Sequence, residues 1–337
     1  MRRTALVTGA NGEMGHLLLP ALRNAGYTIV AVDVQPVSAE LRASCDVAEV
    51  GSVVDAKLLS ALVRDHPPQA VFHLAALLSS KAERDPDLAQ EVNVTATLNL
   101  FRLCRETARE SGNDVRFLFP SSIAVYGLSD AAAKNAAGAV REEDWNRPAG
   151  IYGCNKLYGE MIGSYFATRT IKDKTPGLDF RAIRFPGLIS AETLPSGGTS
   201  DYAPEMIHAA AQGKPYACFV AAATRMPFMT MPDAIDAILR LDAADADTLS
   251  TRVYNIGAFS PTAEELRRSV RTHFPDAEIT FEPVAWRQAI VDTWPAEVDD
   301  RRARTDWGHA PRHGLAEALS EYLVPALLKR YRDRVAR

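Results

Sequence analysis

Three glycines, each separated from the next by two residues, follow the first apolar segment of the chain. The segment Thr4–Thr8 is short and contains β-branched residues, and helical periodicity runs over residues 13–25, so the glycines join a strand to a helix. Glycines let the backbone turn sharply and approach a pyrophosphate, and a helix N-terminus offers free N–H groups and a positive dipole end. The run therefore predicts a phosphate-binding turn, although a tight turn alone explains the same glycines.

Strand and helix signals alternate through the first half of the sequence. Apolar runs at residues 27–32, 70–76 and 115–119 are separated by helical stretches, and Asp85 followed by Pro86 is typical of a helix start. Near-continuous apolar strands separated by helices indicate a parallel sheet that is covered on both faces. Right-handed crossovers then predict an α/β protein with a doubly wound parallel sheet, that is, a Rossmann fold.

The second half of the sequence departs from this alternation. Residues 186–227 are rich in glycine, proline, serine and threonine, which indicates a segment outside the sheet, and residues 253–256 predict one more strand. We therefore predict two units with a discontinuous boundary. The dinucleotide-binding domain comprises residues 1–186 and about 228–260, and a smaller α/β substrate-binding lobe comprises residues 187–227 and 261–337.

Charge and composition argue against several classes of protein. The 38 basic and 42 acidic residues leave no excess of positive charge to hold a polyanion, so no nucleic-acid partner is expected. No apolar run approaches the ~18 residues of a membrane span, and the first residues lack a signal-peptide core, so we expect a cytoplasmic protein without a membrane partner. Four scattered cysteines and seven histidines predict no disulfide framework and no metal.

An acidic residue ends the second predicted strand. Asp33 stands where a carboxylate would accept hydrogen bonds from the two hydroxyls of a ribose. The same carboxylate would repel a 2′-phosphate, so the sequence favours NAD over NADP. With a strand before the glycines, a helix after them and Asp33 beyond, a dinucleotide site is favoured over an ordinary turn.

Tyr152 and Lys156 have the spacing of two residues on one face of a helix. A free tyrosine, with a pKa near ~10, is a poor base at neutral pH, but a nearby ammonium lowers that pKa. The tyrosinate can then take a proton from an alcohol while hydride leaves the same carbon. Such a pair often occurs by chance. However, Ser121 and Ser122 follow the strand that ends at Phe119, where open α/β sheets bind ligands, and Ser122 can hold the substrate oxygen.

Together these motifs resemble those of the extended short-chain dehydrogenases/reductases. The resemblance implies that Asp46 and Val47 neighbour the adenine, that residues 74–76 line the middle of the cofactor, and that Asn93 supports the architecture more than the chemistry. The full set of NAD-binding residues that it implies is Gly9, Asn11, Gly12, Glu13, Met14, Gly15, Asp33, Asp46, Val47, Leu74, Ala75, Ala76, Asn93, Ser121, Tyr152, Lys156 and Phe185.

Segments of the second half are similar to those of L-threonine 3-dehydrogenases of the short-chain type. The most specific segment is 197–202, because it belongs to the substrate lobe and not to the shared cofactor scaffold. The resemblance implies oxidation of the β-hydroxyl of L-threonine by NAD⁺. Tyr152 would be the base, Lys156 would lower its pKa and hold the nicotinamide ribose, and Ser122 would orient the hydroxyl. The substrate contacts that it implies are Ser79, Ser122, Tyr152, Gly187, Thr199 and Asp201.

Two departures from the family pattern bear on the substrate. Thr230 stands where the threonine enzymes commonly carry a tyrosine, and the loop at 128–147 is longer than expected. A nucleotide-sugar 4-epimerase or dehydratase, or a sugar-acid dehydrogenase, therefore stays an alternative. Residues 190–233 offer only Lys214 and Arg225 as clear cations for a diphosphate, and this shortage weakens the nucleotide-sugar alternative.

A non-enzymatic NAD-binding regulator is a further alternative. Such a protein has no need of Ser122, Tyr152 and Lys156 together, so their joint presence counts against this reading. By analogy with relatives, the helices predicted at 85–111 and 151–167 form the interface of a homodimer.

Overall fold

A computed structural model describes residues 3–195 and 198–335 of the chain, with side chains up to residue 331. The strands are β1 Thr4–Thr8, β2 Thr28–Asp33, β3 Val47–Val50, β4 Ala70–His73, β5 Val115–Ser122, β6 Ala139–Val140, β7 Leu178–Phe185, β8 Gly187–Ile189, β9 Tyr216–Cys218, β10 Phe228–Thr230, β11 Val253–Asn255, β12 Ile279–Phe281 and β13 Glu297–Val298.

Helices separate these strands along most of the chain. The α-helices are α1 Gly15–Asn24, α2 Ala39–Arg42, α3 Ala56–Asp65, α4 Ser79–Arg84, α5 Pro86–Gln90, α6 Ala96–Ser111, α7 Ala131–Ala136, α8 Ile151–Asp173, α9 Tyr202–Ala211, α10 Met231–Ala243, α11 Ala263–His273, α12 Ala285–Asp292, α13 Arg301–Trp307, α14 Leu315–Glu317 and α15 Val324–Val335. Asp85 caps α5 by accepting from the backbone N–H of Leu88, and a π-helical turn, Glu91–Thr95, joins α5 to α6.

Within the described residues, seven strands form one parallel sheet in the order β11-β7-β5-β4-β1-β2-β3. All four residues of β4 are buried, which explains why this strand has no polar side chain until His73. One face packs against α1 and α10 through side chains such as Leu18 and Ile238, and the other packs against α3, α6 and α8. The predicted doubly wound parallel sheet is therefore confirmed.

A second apolar core lies beyond the carboxyl end of the sheet. It packs residues of α9 and α11 and of the segment before α15, such as Tyr202, Leu266 and Leu323, around Phe228. The chain between β5 and α8 contributes to the same core through Val125 and other residues. The exact division into a domain and a lobe stays a prediction, because this connecting segment touches both.

The segment at 128–147, which the sequence analysis singled out as a long loop, contains α7 and β6. Strand β6 pairs in parallel with β13, and the buried ammonium of Lys134 donates to the carbonyl oxygen of Val291 at 2.8 Å. These contacts fasten the segment to the lobe. Among the described residues, no helix is long and apolar enough to cross a membrane, and no cluster of three metal-ligating side chains occurs.

Candidate active site

The glycine-rich turn between β1 and α1 lies against the end of β4. Gly9 has a positive φ of 67°, and a side-chain carbon there would lie 2.6 Å from the backbone nitrogen of Ala75. A side-chain carbon on Gly15 would lie 2.0 Å from the carbonyl oxygen of Ala10, so α1 begins in direct contact with the turn. The turn is thus a backbone cradle beside a helix N-terminus, a geometry that fits a pyrophosphate.

A cleft of about 260 Å³ extends from this turn to the lobe. Residues that the sequence assigned to the cofactor lie along the same cleft as those that it assigned to catalysis and to the substrate. The predicted site residues that line it are Gly9, Gly12, Glu13, Met14, Leu74, Ala76, Ser79, Ser121, Ser122, Tyr152, Lys156, Phe185, Gly187 and Asp201.

Ser122, Tyr152 and Lys156 meet where β5 ends and α8 begins. The Ser122 hydroxyl lies close enough to the half-buried phenol of Tyr152 to lower its pKa. The ammonium of Lys156 donates to the carbonyl oxygen of Pro120 at 2.7 Å and lies 5.6 Å from the centre of the Tyr152 ring. The predicted triad is therefore assembled in one place, with the hydroxyl and the phenol in contact.

Burial dominates the electrostatics of this triad. It raises the pKa of the Tyr152 phenol above the ordinary value of 10, and the nearby Ser122 hydroxyl offsets only part of the rise. Burial also lowers the pKa of Lys156 from 10.5 to about 8, against the opposing effect of Glu160. The expectation that Lys156 lowers the pKa of Tyr152 thus stays a prediction for the enzyme with its cofactor and substrate bound.

A buried ion pair between β7 and α8 lies next to the end of β5. Arg184 of β7 donates to both carboxylate oxygens of Glu160 of α8, at 2.9 and 2.6 Å, and each side chain is 3% exposed. Ser121 donates to the same carboxylate at 2.5 Å. Ser121 therefore lines the cleft, but its hydroxyl is bound to Glu160 and helps to hold α8 against the sheet.

The N-terminus of α8 is capped from a different helix. Gly150, the residue before α8, has no side chain, and Glu83 of α4 accepts from the backbone N–H of Ile151 at 2.7 Å. Helix α4 begins at Ser79, so one short helix touches both the start of the catalytic helix and the substrate side of the cleft.

The predicted substrate residues come together on the lobe side. The hydroxyls of Ser79 and Thr199 lie 3.1 Å apart, although 120 residues separate them in sequence. Asp201 accepts from the backbone N–H of Gly198 at 2.7 Å, which shapes the loop before α9. Gly197, the first residue of the most specific sequence segment, lies outside the described residues.

Several known proteins resemble this chain over most of its length. A family model described as the NAD dependent epimerase/dehydratase family matches residues 5–257. The chain belongs to this family. It is an NAD-dependent oxidoreductase, because its relatives include the mitochondrial L-threonine 3-dehydrogenase of Bos taurus, which is 33% identical over 96% of this chain and 82% of its own length.

Two further relatives of this oxidoreductase are an uncharacterized protein and a solved structure with a named activity. An uncharacterized epimerase/dehydratase of Staphylococcus haemolyticus is 33% identical over 98% of this chain and 99% of its own length. A solved structure described as a monomeric L-threonine 3-dehydrogenase from a metagenome database is 33% identical. It covers 97% of this chain and 99% of its own, with a TM-score of 0.83.

The position of Asp46 and Val47 in the structure contradicts their expected place beside the adenine. Asp46 and Val47 lie at the amino end of β3, where Val47 pairs with Val30 and Asp46 accepts from the backbone N–H of Ile29. Parallel α/β sheets bind ligands at the carboxyl ends of their strands, so this pair is at the wrong edge to neighbour an adenine. The chain after β3 is at the right edge, because the N–H of Gly51 donates to the carbonyl oxygen of Asp33 at 2.8 Å.

Asn93 acts on the cleft indirectly. Its side chain accepts from the backbone N–H of Leu77 at 2.8 Å and donates to the carbonyl of the same residue at 3.0 Å. It also donates to Asn155 of α8 at 3.3 Å. Asn93 therefore ties the loop after β4 to the catalytic helix, which agrees with the supporting role that the resemblance implied.

Several residues that line the cleft of the oxidoreductase were not predicted as site residues from the sequence. Trp294 is buried and lines the cleft, together with Leu78, Ile123 and Met226. Their apolar character predicts burial, but nothing in their spacing distinguishes a core residue from a cleft residue. Thr230, in contrast, caps α10 through the N–H of Asp233 and is not among the lining residues, so it does not shape the cleft directly.

The prediction that Asp33 favours NAD over NADP can be tested by substitution. Its carboxylate ends β2 and accepts from the backbone N–H groups of Asn11 and Gln35, both at 2.9 Å. For Asp33→Asn we expect the ratio of kcat/KM for NAD to that for NADP to fall roughly 10–100-fold. This range corresponds to the loss of one charged hydrogen bond and of the repulsion towards a 2′-phosphate. The measurement is initial-rate formation of NADH and NADPH, and an unchanged ratio would mean that Asp33 only shapes the turn.

Proposed function

We propose that the enzyme oxidises the β-hydroxyl of L-threonine with NAD⁺, giving 2-amino-3-ketobutyrate, NADH and a proton. The observation that carries the proposal is the contact between Ser79 and Thr199 beside the cleft that holds the triad. It brings two small hydroxyl groups from distant segments together. Ser79 lines the cleft, where the head group of a small substrate would lie, and Thr199, 1% exposed, lies behind it. The bovine relative, which is named for this activity, supports the same assignment.

The triad gives each step of this reaction a residue. Bound NAD⁺ supplies the hydride acceptor. Ser122 orients the substrate hydroxyl towards Tyr152, whose phenolate takes the hydroxyl proton while hydride leaves the same carbon. Lys156 holds a positive charge beside the phenol, which favours its ionised form. The proton that the phenol receives leaves to solvent, so two electrons pass to the cofactor and one proton is released.

The lining charges favour a small substrate over a nucleotide sugar. Of the lining residues in the described part of the chain, Lys156 is the cation, and it belongs to the triad. Arg225, one of the two cations considered for a diphosphate, donates to the carbonyl of Ser260 and pairs with Glu265. A sugar diphosphate would thus enter without a dedicated cation, whereas the acidic group of Asp201 can favour the ammonium of an amino acid.

The experiment that tests the proposal follows NADH formation from NAD⁺ with L-threonine, D-threonine, L-serine and UDP-glucose. We expect stereoselective turnover of L-threonine and little with the others. Binding of NAD without turnover of L-threonine would overturn the substrate assignment and return sugar acids and nucleotide sugars as candidates. Binding of NAD without turnover of any alcohol would favour the regulator. The cytoplasmic location stays a prediction.

We also propose that the enzyme forms a homodimer through α8. Cys154, Tyr158 and Met161 follow one another at helical spacing on this helix and are all exposed, with Met161 exposed by 65%. A stripe of this kind on a long helix is typical of an interface. The related structure described as monomeric shows that such a dimer has to be tested for each protein.

Met161→Arg is expected to convert the dimer to a monomer. A buried, unpaired guanidinium at the centre of an apolar interface costs several kcal/mol, so the dimer dissociation constant would rise by at least 100-fold. The measurement is sedimentation equilibrium of the parent enzyme and of Met161→Arg. Lys172→Glu, near the end of the same helix, is the control for a change of charge. A monomeric parent protein would exclude the interface.

A further inference from the structure

An acidic side chain lies in the turn that holds the cofactor. Glu13 follows Gly12, stands two residues before the start of α1, and lines the same cleft as Gly9. The N-terminus of a helix favours anions because its free N–H groups and dipole present positive charge. A carboxylate at this position therefore shares the positive end of α1 with the two negative charges of a pyrophosphate.

Glu13 also reaches across the cleft to the lobe. Its carboxylate accepts from the hydroxyl of Thr193 at 3.1 Å, and the carboxylate of Asp201 faces it from the loop before α9. The phenol of Tyr322, from the turn before α15, is the other titratable group near it. Among the described residues no cation forms an ion pair with Glu13, so nothing charged compensates a second anion beside it.

The surroundings of Glu13 already oppose its ionisation. Although the side chain is open to the cleft, the surrounding protein desolvates it and raises the pKa of the carboxyl from 4.5 to about 7. The hydrogen bond from Thr193 lowers this pKa, and the nearby charge of Asp201 raises it. A pyrophosphate bound in the cradle adds negative charge on the side of Gly12, and its effect has the same sign as that of Asp201. The carboxyl thus titrates at a higher pH in the complex than in the free enzyme.

We propose that Glu13 takes up a proton from solvent when the dinucleotide binds, so that this side chain makes the affinity for NAD depend on pH. The inference rests on NAD binding, which the family shows, and not on the proposed substrate. Because the pKa is higher in the complex, affinity is constant below the pKa of the free enzyme. Between the two pKa values it falls by up to about tenfold for each pH unit.

The test compares the dissociation constant of NADH, measured by fluorescence from pH 6 to 9, in the parent enzyme and in Glu13→Gln. The glutamine has the same shape but does not titrate. We expect the constant to rise with pH above about 7 in the parent and to lose most of that rise in the variant. Lys156, whose pKa is about 8, titrates in the same range but is present in both proteins, so their difference isolates Glu13.

A second variant and a direct proton count make the result decisive. Thr193→Val removes the hydrogen bond that favours the ionised carboxyl, so the midpoint of the pH dependence is expected to move to higher pH. Calorimetry of NADH binding near pH 7.5 in two buffers of different ionisation enthalpy counts the protons taken up, with up to one more in the parent than in Glu13→Gln. Equal proton uptake and equal pH dependence in both proteins would overturn the proposal, whether or not L-threonine is the substrate.

Discussion

Tyr152→Phe is expected to lower kcat for the oxidation of L-threonine by roughly 10²–10⁴-fold, the range that a positioned general base contributes. The phenol of Tyr152 is the group that contacts the Ser122 hydroxyl, while the ammonium of Lys156 is bound to the carbonyl of Pro120. The variant keeps the ring and loses only the oxygen, so NAD binding is expected to change little. Steady-state NADH formation and NADH fluorescence measure the two effects separately.

The pH profile provides a second readout for Tyr152. Because the phenol has to be ionised to accept a proton, kcat of the parent enzyme is expected to rise with pH, and the residual rate of the variant is expected to lose this dependence. Tyr165→Phe is a matched control, since Tyr165 lies on α8 and is exposed. A Tyr152→Phe enzyme as active as this control would refute the mechanism.

Glu160→Ala is expected to lower the free energy of unfolding by about 3–5 kcal/mol, because it leaves a buried guanidinium without its partner. Arg184 is 3% exposed and donates twice to Glu160, and its remaining nitrogen donates to the carbonyl of Glu142 at 2.8 Å. The guanidinium cannot reach water without moving β7 or α8. Equilibrium urea unfolding followed by circular dichroism measures the loss.

Two further variants give stability losses with which that of Glu160→Ala can be compared. Glu160→Gln keeps an acceptor for Arg184 and is expected to lose less stability than the alanine variant. Asp173→Ala breaks the exposed pair with Arg169 on the same helix, and such i,i+4 surface pairs contribute about 0.3–0.5 kcal/mol. If Glu160→Ala costs no more than Asp173→Ala, the buried pair does not stabilise the site as argued.

Local patterns were enough to predict much of the cofactor site. The glycine turn could be recognised because the positive φ of Gly9 and the close packing of Gly15 on Ala10 exclude larger side chains. Helical spacing placed Tyr152 and Lys156 on one face of α8, and the end of β5 placed Ser122 beside them. These predictions depend on sterics over a few residues, which the tertiary structure does not alter.

The assignment of Asp46 and Val47 went wrong for the opposite reason. Strand β3 is only four residues long and was not predicted, so nothing in the sequence showed that Asp46 and Val47 stand at its start and not after its end. Trp294 is buried, and its place in the cleft depends on the fold of the chain after α12, where the backbone N–H of Leu128 donates to the carbonyl oxygen of Thr293 at 2.9 Å. Thr230 was recognised as unusual, but only the fold shows that it caps α10.

The sequence by itself determined the parallel sheet, the glycine-rich turn and the helix that carries both Tyr152 and Lys156, since periodicity, glycine sterics and helical spacing act over short distances. Only the tertiary structure decided which distant side chains meet. The contacts Ser79 with Thr199, Glu13 with Thr193 and Glu160 with Arg184 span 120, 180 and 24 residues. Such contacts depend on the path of the whole chain and on which charges are buried together, and these properties belong to the folded molecule.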